Sequence, residues 1–268
     1  MNPLNAQDFG FLPTNSGPDN KMAWAEAITA AQTQGKPLYI PAGMYALEFN
    51  SESKGVILTQ SVTILGDGPE HTVIDVYPKI VSFPYTVIWW DIPDLHITVK
   101  GLKVLGPTCI NASHPDQRPE CNLMEGLTVC PFGSDNRITI DDLVVTGKFT
   151  NVIYTANGDG LLDVRNSDLT ALKTCVAVFE TTNSFMDKRF HADNCRFASG
   201  VPATETSDGQ PFGICVYLHP QVAARVTNCR FYDNPRAAIK QYGENAVGNA
   251  PKYSQYLGCH FVHDHHPG

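Results

Sequence analysis

The last third of the chain carries one short pattern three times: FHADNCRF from Phe190, ARVTNCRF from Ala224 and QYLGCHF from Gln255. Each copy alternates polar and apolar residues, turns at Asn or Gly, and resumes with Cys, a polar residue and Phe. Looser copies lie upstream as ITVKGLKV from Ile97, ITIDDLVV from Ile138 and LDVRNSDL from Leu162, so six copies align on Gly101, Asp142, Asn166, Asn194, Asn228 and Gly258. The intervals between these turn residues, 41, 24, 28, 34 and 30, are those of a coil with variable loops. A unit of short strands cannot bury its apolar face alone and must stack on its neighbours, so the chain reads as a solenoid of parallel strands.

Stacking in register predicts columns. Leu102, Leu143, Ser167, Cys195, Cys229 and Cys259 point inward, as do Val104, Val145, Leu169, Phe197, Phe231 and Phe261, because alternate strand residues share a face. The Asn, Asp and Gly corner tolerates left-handed backbone angles, and its amides can bond along the stack. Outside, Lys100, Asp141, Arg165, Asp193 and Thr227 alternate in charge and read as cross-strand pairs that set register. The adjacent column of Asp163, His191 and Arg225 is chemically more mixed and is a second candidate site, with His191 and Arg225 as substrate-binding residues.

Each later coil has a further strand: GLTVC from Gly126, NVIYT from Asn151, CVAVFE from Cys175, GICVYLH from Gly213 and AAIKQY from Ala237. A period of two buries Leu127 and Val129, Val152 and Tyr154, Val176 and Val178, Ile214 and Val216, and Ala237 and Ile239. It leaves an outer column of Cys130, Thr155, Phe179, Tyr217 and Lys240, followed by Asn157, Thr181, His219 and Tyr242. Phe179, Glu180, Tyr217, His219, Lys240 and Tyr242 then come from three adjacent coils, roughly 5 to 10 Å apart. Aromatic rings offer flat apolar faces to sugars, while Lys and His hold carboxylates or move protons.

A β-elimination on a uronic acid needs a base, a cation for the carboxylate and an acid for the leaving oxygen. His219, Tyr217, Lys240 and Tyr242 are the catalytic candidates, and Phe179 and Glu180 the substrate-binding ones; the competing reading is an ordinary solvated sheet face. Hydrolysis would need two suitably spaced carboxyl groups, and Glu125, Asp159, Asp163, Glu180 and Glu244 form no aligned pair. In FPYTVIWWDIPD, one of Trp89 and Trp90 points in and the other out, where it is either a sugar platform or packing under a loop.

With 21 Gly and 19 Pro, and no compositional break, the chain reads as one turn-rich all-β domain, residues 1–47 forming a cap and 48–268 the coils. A net charge of -8 argues against nucleic acid, which needs clustered Lys and Arg. No run is long enough for a membrane span, and MNPLNAQDF has neither the charged nor the apolar region of a signal peptide. The eight Cys are not spaced as a zinc site or a small disulfide framework; the inward ones read as small hydrophobes, while a Cys109–Cys121 bridge and a pair of thiols both remain open. Calcium would draw on Asn157, Asp159 and Asp163, but no spaced calcium loop occurs, and no cofactor is assigned. The chain stops soon after Phe261 without a recognisable cap, so further chain or another subunit is expected to cover that end.

Near the start, DFGFLPTNSGPDN precedes an Ala-rich helix, KMAWAEAITAAQTQGKP, which precedes the strand LYIPAGMYAL; such a helix covers the open end of a solenoid. Together with SVTILGDGPEHTVI from Ser61, this opening resembles the right-handed parallel β-helices of the pectate-lyase-like superfamily, which includes phage tailspikes. The resemblance spans Asp8 to about Ile74 by motif and the remainder by coil pattern. It implies an all-β, right-handed parallel β-helix with an N-terminal capping helix, a polysaccharide partner, an extracellular or virion-associated setting and three β-helices side by side. It is weak for activity, because related folds include lyases, hydrolases, epimerases and non-catalytic proteins. The Asn-Thr-Asp, Asp-Asp and Gly-His-Gly motifs of polygalacturonases have no counterpart here, and only Ile239-Lys240 resembles their Arg-Ile-Lys. Cleavage of a polysaccharide by elimination or hydrolysis is the first functional expectation, and a non-catalytic glycan-binding or structural β-helix is the second.

Overall fold

The computed structural model describes residues 2–50, 53–110, 121–126, 135–156, 160–179, 188–199, 214–218, 222–232, 237–241 and 254–262. The helix Gly17–Gln34 starts where the Ser16 hydroxyl accepts the Asp19 amide and Pro18 occupies the first turn. It ends at Gly35, whose left-handed φ of 60° lets its own amide reach the Gln32 carbonyl and the Lys36 amide the Ala31 carbonyl. Ala23, Trp24, Ala27, Ile28 and Ala31 form its buried face. They pack against the strands Gly43–Glu48 and Ser53–Leu58, so the helix caps the first coils as expected.

The strands pair in parallel. A first sheet stacks His96–Leu105, Asn136–Thr146, Gly160–Arg165, Lys188–Asp193, Ala223–Thr227 and Gln255–Leu257. Past the corner it continues through Asp168–Ala171, Arg196–Ser199, Arg230–Tyr232 and His260–Phe261. A second sheet stacks Ser53–Leu58, Tyr85–Trp90, Cys121–Gly126, Asn151–Ala156, Thr174–Phe179, Ile214–Leu218 and Ala237–Gln241. Among the described residues, successive coils up to Ala237–Gln241 contribute to both sheets, and the architecture is a parallel β-helix.

The corner column has the expected backbone. Gly101, Asp142, Asn166, Asn194, Asn228 and Gly258 stand at φ of 67°, 53°, 48°, 52°, 53° and 62°. Only Gly, Asn and Asp adopt this region at small cost, which is why these residue types recur there. Asn194 donates to Asn166 Oδ1 at 2.9 Å, and Asn166 donates to Asp141 Oδ1 at 2.8 Å.

Inside, Leu102, Leu143, Ser167, Cys195 and Cys229 are buried, as are Val104, Val145, Leu169, Phe197 and Phe231. Ser167 is tolerated because its hydroxyl donates to the Arg165 carbonyl and accepts the Leu143 amide. Cys195 and Cys229 remain thiols that donate to backbone carbonyls. The Phe197 and Phe231 rings stack at 5.3 Å, and those of Phe231 and Phe261 at 5.2 Å. Phe261 thus continues the inward column, but it is 52% exposed because no described residue covers this last rung. In the outer column Lys100 and Asp141 pair across strands at 2.7 Å as expected and Thr227 donates to Asp193 at 2.5 Å, whereas Arg165 pairs within its own strand, with Asp163.

Candidate functional site

The outer face of the second sheet takes its shape from a kink shared by its strands. Ladder pairing is interrupted at Gly55, Val87, Leu123, Val152, Cys175, Cys215 and Ala238, one position per strand. Adjacent apolar residues, Val87 with Ile88 and Leu123 with Met124, face the interior beside Leu102 and Val104. Two successive inward residues break the period of two, so the outer residues lie three apart instead.

One outer column runs Lys54, Thr86, Asn122, Asn151, Thr174, Ile214 and Ala237, of which all but Lys54 and Ala237 are buried. The other runs Ile57, Trp89, Glu125, Tyr154, Ala177, Tyr217 and Lys240. Six ladder steps make the second column about 29 Å long.

The two columns touch through polar groups. Glu125 Oε2 accepts from the Thr86 hydroxyl at 2.5 Å and from Asn122 Nδ2 at 3.0 Å, and Asn151 Nδ2 donates to Asn122 Oδ1 at 2.9 Å. Thr86, Asn122 and Asn151 are buried, so these bonds spare them the cost of unpaired polar atoms. At one end the Lys54 ammonium sits 3.1 Å from the centroid of the Trp89 ring. The Trp89 indole N–H is buried with no hydrogen-bond partner among the described residues. Trp89 is therefore the outward member of the pair, while Trp90 is buried and fills the space above Gly126, where a Cβ would lie 2.2 Å from the ring. At the other end, Tyr217 and Lys240 are ladder partners, with the ammonium 6.0 Å from the ring centroid.

The structure thus brings together two of the four expected catalytic residues. His219 and Tyr242, with Glu180, lie outside the described residues. Ala177, not Phe179, neighbours Tyr217, because the kink shifts the register on which the expectation for Phe179 rested. The same shift moves Tyr154 from its expected inward position to the outer column. A strand the sequence reading missed runs Cys121–Gly126 and places Glu125 on the face; beyond Gly126 the expected strand, with Leu127, Val129 and Cys130, lies outside the described residues. The Cys121 thiol donates to the Phe83 carbonyl at 3.7 Å. Lys54, Asn122 and Asn151 were not singled out from sequence, although the polar residues flanking each pair of adjacent apolar ones mark these columns.

His191 and Arg225 lie on the other sheet. Asp163, His191 and Arg225 are consecutive ladder partners, as expected. Asp163 is committed to Arg165, accepting from Nε at 3.0 Å and from Nη2 at 2.5 Å. Burial lowers the His191 imidazole below its ordinary pKa; Arg189, Arg225 and Arg165 act in the same direction and Asp163 opposes them. The Asn157 and Asp159 calcium candidates lie outside the described residues. Among the described residues, no three His, Cys, Asp or Glu side chains converge as a metal site, and no helix is long and apolar enough to cross a membrane.

No family model matches the chain, and no curated protein matches it. Among solved structures it is similar to the A-module of the mannuronan C-5 epimerase AlgE4 of Azotobacter vinelandii, with a TM-score of 0.49 and 16% identity over 96% of this chain and 76% of that one. The A-module of AlgE6 from the same organism gives a TM-score of 0.47 at 16% identity, over 96% and 75%. The Agl-KA catalytic domain gives 0.26 at 14% identity, over 98% and 69%.

Proposed function

We propose that this β-helix binds an acidic polysaccharide along the outer face of its second sheet and cleaves it by β-elimination at Tyr217 and Lys240. The observation that carries the reading is the pairing of those two side chains on adjacent rungs, at one end of an outer column that begins near the Lys54–Trp89 stack. Trp89 and Tyr154 supply flat faces for pyranose rings, and Lys240 neutralises the carboxylate of the reacting uronate. In the elimination, His219 takes the C5 proton and the C5 electron pair forms the C4=C5 double bond. The C4–O4 bond then breaks, and O4 takes the Tyr217 phenolic proton. Two-carboxylate hydrolysis is less well supported, because Glu125 is the sole carboxylate among the described residues of this sheet.

Binding without chemistry is the second reading, favoured by the mutual bonding of Thr86, Asn122 and Glu125, which leaves those groups committed to one another. Incubation with a panel of acidic and neutral polysaccharides, following the ultraviolet absorbance of unsaturated uronates together with new reducing ends, separates the two. Elimination raises both signals, and Tyr217→Phe and Lys240→Ala abolish both. Reducing ends without absorbance would sink elimination. Retained binding with no product would establish the second reading.

A further inference from the structure

The corner of the first sheet carries a second polar surface, on the same coils as Tyr217 and Lys240 but on a different sheet. A groove of about 560 Å³ runs across successive rungs there, between the asparagine column and the residues two positions on. One wall presents Asn166, Asn194 and Asn228, and the other presents Arg196, Arg230 and His260. The latter three are consecutive ladder partners, so their backbones are about 4.8 Å apart per rung. Arg196 is held in place, its guanidinium 4.6 Å from the centroid of the Tyr232 ring and 3.5 Å from Asp168. Arg230, one rung on, is exposed and has no ion-pair partner among the described residues. On a chain of net charge -8, this pair of guanidinium groups is a local exception.

We infer that this groove is a binding site for a linear, carboxylate-bearing oligosaccharide lying along the coil axis. A guanidinium fork matches a carboxylate in geometry as well as charge. Repetition by rung suits a ligand that repeats its carboxylate by sugar. The neutral amide wall gives hydroxyl groups both donors and acceptors, which a glycan uses and a bare polyanion does not. Nucleic acid fits poorly, because two arginines and a histidine neutralise few phosphates while the rest of the chain repels them. This site needs no chemistry at the second sheet, and it stands or falls separately from the elimination proposed above.

The test uses a tetramer of galacturonic acid and, as the neutral counterpart, a tetramer of galactose. Both are titrated into the full chain carrying Tyr217→Phe and Lys240→Ala, so that turnover does not consume the ligand. Calorimetry at low and high salt is expected to show uronate binding that weakens with salt, and Arg196→Gln with Arg230→Gln is expected to weaken it at least tenfold. The Nε–Hε resonances of Arg196 and Arg230 in the arginine-intact protein are expected to move with the uronate tetramer and to stay with the neutral one. Those resonances report on the groove even if the double Gln variant folds poorly. Unchanged affinity in a folded double variant, resonances that do not move, or equal response to the neutral tetramer would overturn the proposal, whatever the activity at Tyr217 and Lys240.

Discussion

Asn194 donates its side-chain amide to Asn166 one coil away at 2.9 Å, while both backbones stand at positive φ, 52° and 48°. The residue type therefore answers two demands at once, conformation and cross-rung bonding. Asn194→Gly meets the first demand and is expected to cost about 1 kcal/mol for the lost hydrogen bond. Asn194→Ala meets neither and is expected to cost about 2 to 3 kcal/mol, since a Cβ in this region costs ~1–2 kcal/mol once the short polar side chain that compensates for it in Asn is gone. Urea unfolding of the two variants decides the matter; Ala as stable as Gly would mean that the corner is not conformationally constrained.

Phe231 is fully buried between Phe197 and Phe261, whereas Phe261 is half exposed. Phe231→Ala removes a ring from both stacks and leaves a cavity, at an expected cost of about 3 to 5 kcal/mol. Phe261→Ala is expected to cost well under half as much. Equal losses on thermal unfolding would show that Phe261 is enclosed in solution.

Gly126 leaves room for Trp90: an added Cβ would lie 2.2 Å from the ring, which is itself buried. Gly126→Ala is expected to destabilise by about 1 to 3 kcal/mol through overpacking and to alter the near-ultraviolet circular dichroism of the indole. An unchanged spectrum with unchanged stability would count against this packing.

Burial holds the His191 pKa below its ordinary value, so the unfolded chain takes up a proton at higher pH than the folded one. This contribution is fully present above the ordinary histidine pKa of about 6.5 and is lost as pH falls through the lower folded value. His191→Gln is expected to flatten the fall in Tm between about pH 7 and pH 5. Asp141 and Asp135, held below the usual carboxylate range by Lys100 and Arg137, add their own loss only in more acidic solution. A His191→Gln profile parallel to that of the parent chain would remove the imidazole from the explanation.

The corner and the inner columns were legible in the sequence because each rests on a local rule. Asn and Gly mark the left-handed position, and Cys followed two residues later by Phe marks the inward pair. The second sheet was legible as strands but not in phase. A strict alternation puts Tyr154 inside, whereas the kink after Asn151 turns Val152 and Ile153 inward together and sends Tyr154 out. The clue was a pair of adjacent apolar residues bracketed by larger or polar ones, as in Thr86-Val-Ile-Trp89 and Asn122-Leu-Met-Glu125. The strand Cys121–Gly126 escaped for another reason: its neighbour GLTVC has the stronger β-branched character and draws the reading past the residues that pair with Tyr85–Trp90 and Asn151–Ala156.

Because the kink recurs at the same position in the seven strands of the second sheet, the gap between its two outer columns belongs to the coil and not to any one pair of side chains. The face is modular. Excising one whole coil would shorten it by about 4.8 Å and leave the remaining rungs in phase, whereas deleting a single residue within a strand would throw every later side chain of that strand onto the opposite surface.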